Sequence, residues 1–347
     1  MKYKIDNEGR EFLFQLLNAS APSGCESEAA LLFKSYIQLC CDTVETDAMG
    51  NVVGVINPTS PHKLLVSAHI DEVGLQVTGI KDDGSLTFRC IGGLDILSLY
   101  GQHIIILTEK GKIKGAIGRN KDHTNYDNSG ATCLKQSDLW IDIGASNKQE
   151  AIEKVSIGDY ATFAANASML TDTVICSKAL DNRLGVFVIS QVARMLLREE
   201  PDCAIYIAAT VQEEIGTRGM ALVANKIKPH IGLVVDCGHA GNNNDDRLML
   251  GDGTALIRNA DNHTGLVNEI RQTAHAQGLG YQLSVGNNIT GGTDSSRLQL
   301  FGGDVRVADI SIPCKYMHSH CEIADLRDVE NTINLLFQTI KQEKLWR

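Results

Sequence analysis

The chain has 347 residues, 43% of them hydrophobic and 21% charged, which is the composition of an ordinary globular protein rather than a disordered one. This length is too great for one small domain and suits one large domain or two. The 32 basic and 42 acidic residues give a net charge of −10 without a basic stripe, so we expect neither a nucleic-acid nor an anionic membrane partner.

The cysteines and the hydrophobic runs indicate the compartment. Ten cysteines are present, but no pair has CxxC spacing, and several lie in apolar runs, as buried free thiols do. The N-terminal stretch MKYKIDNEGREFL lacks the apolar region of a signal peptide. No apolar stretch reaches the roughly 18–20 residues that span a bilayer. We therefore expect a soluble, cytoplasmic protein.

The N-terminal part begins with two predicted helices, followed by two predicted strands. Apolar residues recur at helical spacing in EGREFLFQLLNAS, which covers residues 8–20. A second helix follows within SGCESEAALLFKSYIQLC, with Ser23 or Ser27 as its N-terminal cap. Strands are predicted at NVVGVI and HKLLVSAH, and the second is the near-continuous apolar run of a buried parallel strand.

From about residue 73 the sequence changes to short alternating strands. These strands are GLQVTGI, SLTFRCI, GQHIIILTE and GKIKGAIG, with IDIGA and GDYATFAA continuing the pattern to about residue 165. Glycine-containing turns separate them, and one helical segment, SNKQEAIEKV, intervenes. Short strands with turns at this spacing are typical of a small β-barrel or sandwich.

After SKALDNR, helices and strands alternate to the end of the chain. Helices are predicted at LGVFVISQVARMLLRE, MALVANKI, TGLVNEIRQTAHAQG and DVENTINLLFQTIKQ, and strands at CAIYIAATV, IGLVVDC and VRVADISI. This alternation predicts an α/β fold in which a mostly parallel sheet is sandwiched by helices. We expect residues 1–71 and 166–347 to form this domain and residues 72–165 to form an inserted small β-barrel domain.

Potential metal ligands follow several of the predicted strands. They are His69 and Asp71, Asp181 at the start of the helix after the inserted block, Glu213 and Glu214, Asp236, and His318. Ligands of open α/β sheets bind outside the carboxyl ends of the strands, so these side chains should converge. Imidazole and carboxylate together suit zinc, cobalt or manganese better than magnesium or calcium.

Each residue also has an ordinary explanation. A lone histidine such as His69 is usually a satisfied core or surface residue, Asp181 could cap a helix, and Asp236 could lie in a turn. The joint pattern is harder to explain in this way. Several carboxylates that face one crevice, including the adjacent pair Glu213 and Glu214, repel each other unless cations lie between them.

Five motifs in this order resemble the M42 metallo-aminopeptidase family, the glutamyl or deblocking aminopeptidases among the co-catalytic zinc exopeptidases. The motifs are SAHIDEVGLQV, ALDNRLG, VQEEIGTRG, VVDCGH and HSHCEIADLRDVENT, and PSGCESE, WIDIGA and GGTDSS extend the likeness over nearly the whole chain. The family fold is an α/β exopeptidase domain with an inserted β-rich domain, in agreement with the organisation above. The resemblance implies an enzyme that hydrolyses N-terminal residues from peptides.

The resemblance also implies two divalent metal ions per subunit, zinc first, with cobalt or manganese as alternatives. Five residues would hold these ions: His69 and Asp236 the first, Glu214 and His318 the second, and Asp181 both. The chemistry would be metal-assisted hydrolysis by a hydroxide that bridges the two ions.

Two further carboxylates would act without binding an ion. Asp71 would fix the orientation of the His69 imidazole and raise its basicity. Glu213 would be the general base and would pass the proton to the leaving amine. Because adjacent strand residues point to opposite sides, we expect Glu214 to point at a metal ion and Glu213 at its water.

Three other functions remain open from the sequence. A metal-dependent carboxypeptidase or deacylase on this scaffold would accept a peptide with a blocked N-terminus, which an aminopeptidase refuses. A glycoside hydrolase would keep its activity after chelation, but strand neighbours such as Glu213 and Glu214 diverge and would not face each other across a sugar bond. A non-catalytic relative would have lost a ligand or the base, yet every motif position is filled.

The resemblance implies a homo-oligomer, commonly a dodecamer whose active sites face an interior chamber. The chain departs from the family at His320, where proline is common, and in GAIGRNKDHTNYD of the inserted block. His320 and Cys321 could join Cys314 in a separate thiolate site, although the spacing fits no standard zinc ribbon. His239 is not expected to be a ligand, and GGTDSS is either near the substrate or a plain loop. The preferred N-terminal residue and the native metal stay open.

Overall fold

The computed structural model describes residues 2–119, 135–241, 248–286 and 289–342. Its helices are α1 (Asn7–Asn18), α2 (Ser27–Ile37), α3 (Ile96–Leu99), α4 (Lys148–Lys154), α5 (Leu180–Leu196), α6 (Arg218–Ile227), α7 (Thr264–Gln277), α8 (Asp294–Phe301) and α9 (Leu326–Ile340). Its strands are β1 (Thr43–Thr46), β2 (Val52–Ile56), β3 (Lys63–His69), β4 (Gly74–Ile80), β5 (Leu86–Ile91), β6 (His103–Thr108), β7 (Gly111–Arg119), β8 (Leu139–Asp142), β9 (Tyr160–Phe163), β10 (Ser168–Met169), β11 (Val174–Ser177), β12 (Ala204–Thr210), β13 (Ile231–His239), β14 (Thr254–Ile257), β15 (Tyr281–Ser284), β16 (Arg306–Lys315) and β17 (Glu322–Asp325).

The large sheet has four parallel strands at its centre, in the order β12, β3, β13 and β16. Antiparallel strands flank them: β2 and β1 beyond β12, and β17, β11 and β10 beyond β16. Strand β14 pairs antiparallel with β16 and parallel with β15. The sheet is therefore mixed as a whole, and the predicted parallel arrangement holds for its four central strands.

Helices cover both faces of this sheet, as the α/β alternation predicts. Along β3, Leu64 and Val66 belong to a large core shared with α1, α2, α5, α7 and α9, whereas Leu65 belongs to a smaller core shared with α6 and α8. Successive strand residues point to opposite faces, so an apolar run without alternation requires cover on both sides. The HKLLVSAH run was predicted to be a buried strand for this reason, and it is one.

The strands from β4 to β9 form a separate closed barrel, ordered β4, β5, β8, β7, β6 and β9. The barrel has its own hydrophobic core, which includes Leu75, Phe88, Ile106 and Ile141. Its sequence lies between β3 and β11 of the large sheet, so it is an insertion into the α/β fold. The predicted α/β fold with an inserted small β-barrel is confirmed.

Several local features differ from the prediction. Strands β1, β10, β11, β14, β15 and β17 have four residues or fewer and were not predicted. The N-cap of α2 is Glu26, which makes no capping hydrogen bond with its side chain, so the predicted cap at Ser23 or Ser27 is wrong. The GGTDSS motif is not a plain loop, because α8 begins at Asp294 with Thr293 as its cap.

Over the part of the chain that the structure describes, no helix is both long enough and apolar enough to cross a membrane.

Candidate metal centre

The predicted site residues converge at the carboxyl ends of the central strands. His69 is the last residue of β3, Asp236 lies near the end of β13, and Asp181 is the second residue of α5. Glu213 and Glu214 follow β12, and His318 follows β16. These side chains line one cavity of about 510 Å³: His69, Asp181, Glu213, Glu214, Asp236 and His318. The rule that ligands collect at these strand ends predicted this arrangement.

One group of potential metal ligands consists of His69, Asp181 and Asp236, all three buried. Nε2 of His69 lies 3.2 Å from Oδ1 of Asp181 and 3.4 Å from Oδ1 of Asp236. Asp181 is not the N-cap of α5, a position that Ala179 occupies. The ordinary explanation of Asp181 as a helix cap therefore does not hold.

A second group consists of Asp181, Glu214 and His318. Nε2 of His318 lies 3.4 Å from Oδ2 of Asp181 and 3.2 Å from Oε2 of Glu214. Asp181 thus presents Oδ1 to one histidine and Oδ2 to the other. A carboxylate in that position can bridge two cations.

The distances between ligand atoms and the carboxylate oxygens without hydrogen-bond donors fit divalent ions in both groups. A tetrahedral zinc ion with bonds of about 2.0–2.1 Å separates its ligand atoms by roughly 3.3 Å. The separations of the histidine nitrogens from the carboxylate oxygens in both groups are 3.2 to 3.4 Å. Oδ1 of Asp181 and Oε1 of Glu214 are buried and accept no hydrogen bond within the described residues. Buried carboxylate oxygens without donors favour a bound cation.

Protonation of these groups follows from burial and mutual attraction. Burial lowers the pKa of His69, but the carboxylates of Asp236, Glu213 and Asp181 together outweigh this effect and hold the pKa well above its ordinary value. Burial is outweighed at His318 as well, where Asp181 and Glu214 raise the pKa to about 12. Burial raises the pKa of the Glu214 and Asp236 carboxyls. All four groups therefore hold protons more tightly than usual, which shows that this cluster of carboxyls favours positive charge beside it.

Asp71 has a wider role than the sequence predicted. Its backbone carbonyl lies 3.3 Å from Nδ1 of His69, and its Oδ1 lies 3.6 Å from the same nitrogen. Its carboxylate also accepts hydrogen bonds from the backbone N–H groups of Glu213 (3.0 Å) and Glu214 (3.1 Å) and from the Ser23 hydroxyl (2.5 Å). The Asp71 carboxylate therefore holds the Glu213–Glu214 segment, and its predicted role of orienting the imidazole stays a prediction.

The Glu213–Glu214 pair does not lie on a strand, and that expectation is wrong. Strand β12 ends at Thr210, and Gln212 has a φ of 58°, which turns the chain before the two glutamates. Glu214 faces His318 and Glu213 faces His69, at 3.2 Å and 3.9 Å respectively. The turn at Gln212 and the Asp71 hydrogen bonds therefore orient the pair, rather than strand pleating.

Two supporting contacts escaped the sequence analysis. The buried carboxylate of Glu322 accepts hydrogen bonds from the backbone N–H groups of Asp181 and His318, both at 2.9 Å. The carbonyl oxygen of Gly93, in the inserted barrel segment, lies 3.1 Å from Nδ1 of His318. Glu322 falls within the HSHCEIADLRDVENT motif. Its role could not be predicted, because no sequence pattern shows that a single acidic residue accepts hydrogen bonds from the backbone of distant residues.

Other singled-out residues lie outside the two ligand groups. His239 lines the cavity but belongs to neither group. Within the described residues, neither group includes His320, Cys314 or Cys321. The His320 ring lies 6.0 Å from that of Phe163 in the barrel. The part of GAIGRNKDHTNYD from residue 120 onward lies outside the described residues.

Comparisons with known proteins show the family of this chain. The family model described as M42 glutamyl aminopeptidase matches residues 50–335. The chain belongs to the M42 family. It is 34% identical over 324 residues to a putative aminopeptidase of Acetivibrio thermocellus, covering 92% of this chain and 94% of that one. The predicted family membership is confirmed, and the chain is an aminopeptidase, a hydrolase of peptide bonds.

Solved structures of TET peptidases share this fold. The crystal structure of a TET aminopeptidase from a marine-sediment Thaumarchaeota archaeon matches with a TM-score of 0.92 and 30% identity, covering 97% of each chain. The TET1 peptidase of Pyrococcus horikoshii matches with a TM-score of 0.87 and 31% identity, covering 95% of this chain and 98% of that one. That peptidase is described as assembling into a tetrahedron or a large octahedral shell.

Proposed function

We propose that this M42 chain removes the N-terminal residue of peptides at a pair of divalent metal ions. His69 and Asp236 would hold the first ion, Glu214 and His318 the second, and Asp181 both. The observation that carries the proposal is the position of Asp181, whose two carboxylate oxygens face the two different histidines at 3.2 and 3.4 Å. The mixed imidazole and carboxylate donors suit zinc, with cobalt or manganese as alternatives.

Glu213 is the proposed general base because it faces the cavity but belongs to neither ligand group. When bound, two divalent ions would polarise the scissile carbonyl and lower the pKa of the attacking water. Glu213 would accept a proton from that water and deliver it to the amine nitrogen as the peptide bond breaks. Burial raises the pKa of Glu213 well above its ordinary value, which suits a group that must hold a proton near neutral pH.

The test measures the metal content of the protein and whether the substrate needs a free amino group. Metal-free protein is reconstituted with zinc, cobalt or manganese, and ions per subunit are counted by mass spectrometry. We expect two ions, cleavage of aminoacyl p-nitroanilides with a free amino group, refusal of their N-acetyl forms, and no activity after chelation. Cleavage of the blocked substrates would favour a deacylase or carboxypeptidase, and activity in metal-free protein would favour a metal-independent hydrolase.

Variants distinguish the residue proposed to bind both ions, Asp181, from a residue proposed to bind only one, His318. Asp181→Asn is expected to lower the affinity for both ions, whereas His318→Ala is expected to leave one ion bound. His239→Ala is the matched control, because His239 lines the cavity outside both groups and should keep two ions. Two tightly bound ions in Asp181→Asn would contradict the bridging assignment.

We also propose the domain division and a homo-oligomer. The division at residues 72 and 165 is supported by the barrel strands, which run from Gly74 to Phe163. The assembly of the Pyrococcus horikoshii relative into a tetrahedron or an octahedral shell supports a closed homo-oligomer, and a further similar structure, PhTET1-12s, is described as a dodecamer. Light scattering should then give about 450 kDa, twelve subunits of 37.7 kDa. A monomeric mass would contradict the oligomer. A cytoplasmic location stays a prediction.

A further inference from the structure

The cavity at the metal centre is lined by carboxyl groups that have no role in the proposed metal site or in catalysis. Six carboxylates line it, and four of them belong to the proposed catalytic machinery. The two others are Asp261 and Asp309. Over the described part of the chain, no lysine or arginine lines this cavity. Two carboxylates therefore face the substrate space without a basic side chain of the protein beside them.

Asp309 lines this space, and one of its carboxyl oxygens has no hydrogen-bond donor among the described residues. It is 4% exposed, and its Oδ2 accepts a hydrogen bond from the Thr293 hydroxyl at 3.0 Å. Its Oδ1 is buried and accepts no hydrogen bond within the described residues. A buried carboxylate oxygen without a donor is costly, and the cost is removed when a ligand supplies a cationic donor.

The sheet register places Asp309 within reach of a side chain at the metal centre. Ser311 of β16 pairs with Asp236 of β13, and Asp309 lies two residues earlier on the same face of β16. Two strand residues span about 6.5 Å. A four-carbon lysine stem or the guanidinium arm of arginine matches this distance from a residue bound at the metals.

The rest of this part of the cavity suits the stem of such a side chain. Its lining includes the apolar side chains of Leu248, Ile257 and Leu283. Lysine and arginine pack their methylene groups against apolar surfaces while the charged end reaches a polar partner. Asp261 is held in place by the backbone N–H of Gly291, which donates to its Oδ2 at 2.6 Å.

We infer that this pocket binds the cationic side chain of the substrate's first residue, with Asp309 as the residue that determines this preference. The inference rests on the proposed function, because it requires the peptide N-terminus to lie at the metal centre. The class of substrate is a peptide that begins with lysine or arginine. Burial raises the pKa of Asp309 to about 8, and a cation bound beside this carboxyl lowers that pKa again. Asp261 adds a second carboxyl group to the pocket wall, whereas Asp309 makes the direct contact.

The test compares lysyl, arginyl, norleucyl and glutamyl aminomethylcoumarin substrates with the metal-loaded protein and with Asp309→Asn. Norleucine matches the lysine stem without its charge. We expect kcat/KM of the wild type to favour lysine over norleucine by at least about tenfold, the value of one charged contact in a specificity pocket. In Asp309→Asn the ratio should fall about tenfold, while norleucine turnover and the content of two ions stay near the wild type.

A control and a binding measurement complete the experiment. Asp304→Asn removes the same charge from an exposed residue five positions earlier and should leave the lysine to norleucine ratio unchanged. The inhibition constants of free lysine and norleucine should differ in the wild type and converge in Asp309→Asn. A wild type that prefers norleucine or glutamate, or an unchanged ratio in the variant, would overturn the inference. Failure to cleave any of the four substrates would instead reject the proposed function.

Discussion

Glu213 lies where a base can act without competing for a metal ion. Its carboxylate is 3.9 Å from the His69 imidazole, a longer distance than those of the three carboxylates in the ligand groups. Asp71 accepts a hydrogen bond from the Glu213 backbone N–H and holds the backbone of Glu213 in place. A carboxylate held in this way can exchange a proton with a substrate while the ligands stay in place.

Glu213→Gln should therefore separate chemistry from metal binding. The amide has the same shape but cannot accept a proton, so we expect kcat to fall by about 10²–10⁴-fold, the usual contribution of a general base. Metal content should stay at two ions per subunit, as measured on the same samples. A variant with near-normal kcat would remove Glu213 from the base role, and a variant that has lost an ion would make it a ligand.

Glu322 acts on the site through the backbone of two ligands. Its two oxygens accept hydrogen bonds from the backbone N–H groups of Asp181 and His318. The backbone of His318 has a φ of 63°, a conformation that residues other than glycine rarely adopt. In Glu322→Gln the amide group would turn an N–H donor toward one of these N–H groups. We expect metal affinity to fall about 10–100-fold, as for other supporting residues of metal ligands.

Competition with a fluorescent chelator would measure this change in affinity. Glu330→Gln is the matched control, because Glu330 also accepts from a backbone N–H, that of Ile5, but lies on α9 away from the cavity. Equal metal affinities for the two variants would show that Glu322 does not support the ligands.

At the scale of elements, the long buried strands could be predicted because each carries an uninterrupted apolar run. β3, β12 and β13 have this pattern, and their ends gave the correct position of His69, Asp236 and the glutamate pair. Six short strands, β1, β10, β11, β14, β15 and β17, were missed, because four residues or fewer are too few for a period to be counted. The equally short β8 and β9 were predicted because they continue the run of strands and turns in the inserted block. The turn at Gln212 also left no signal, since its positive φ is occupied by a residue other than glycine.

The segment that follows β5 connects the barrel to the metal centre. Gly92 has a φ of 77°, and a Cβ atom there would lie 2.8 Å from Cγ1 of Val73 and 3.4 Å from Cβ of Glu214. The next residue, Gly93, contacts the His318 ring through its carbonyl oxygen. A substitution at Gly92 must therefore displace the segment that orients His318.

Gly92→Ala should weaken metal binding, whereas Gly101→Ala should not. Both glycines have positive φ values, 77° and 80°, so both alanines add backbone strain of about 1–2 kcal/mol. A Cβ atom at Gly101 meets nothing within 4 Å. We expect a larger loss of unfolding free energy in Gly92→Ala, because its Cβ atom also meets Val73, and a loss of the second ion in Gly92→Ala only, measured by metal titration. Unchanged metal affinity in Gly92→Ala would show that the barrel segment does not position His318.

At the scale of the whole molecule, Glu72 connects the barrel to the α/β domain. This carboxylate is 1% exposed and accepts from the Lys178 ammonium at 2.7 Å, the Arg183 guanidinium at 3.3 Å and the Thr162 hydroxyl of the barrel at 2.8 Å. Burial would raise its pKa, but Lys178 and Arg183 hold the pKa below its ordinary value. Burial lowers the pKa of Lys178 despite this attraction, so the cation depends on its partner.

Glu72→Gln should therefore destabilise the protein strongly. The amide keeps the shape of the side chain but leaves the ammonium and the guanidinium buried without a counter-charge, which costs about 3–5 kcal/mol. Denaturant unfolding of the metal-loaded protein measures the loss. Glu45→Gln is the matched control, because the Glu45–Lys226 pair is exposed to solvent and its removal should change little. Equal stabilities for the two variants would mean that the cluster at Glu72 does not hold the barrel against the α/β domain.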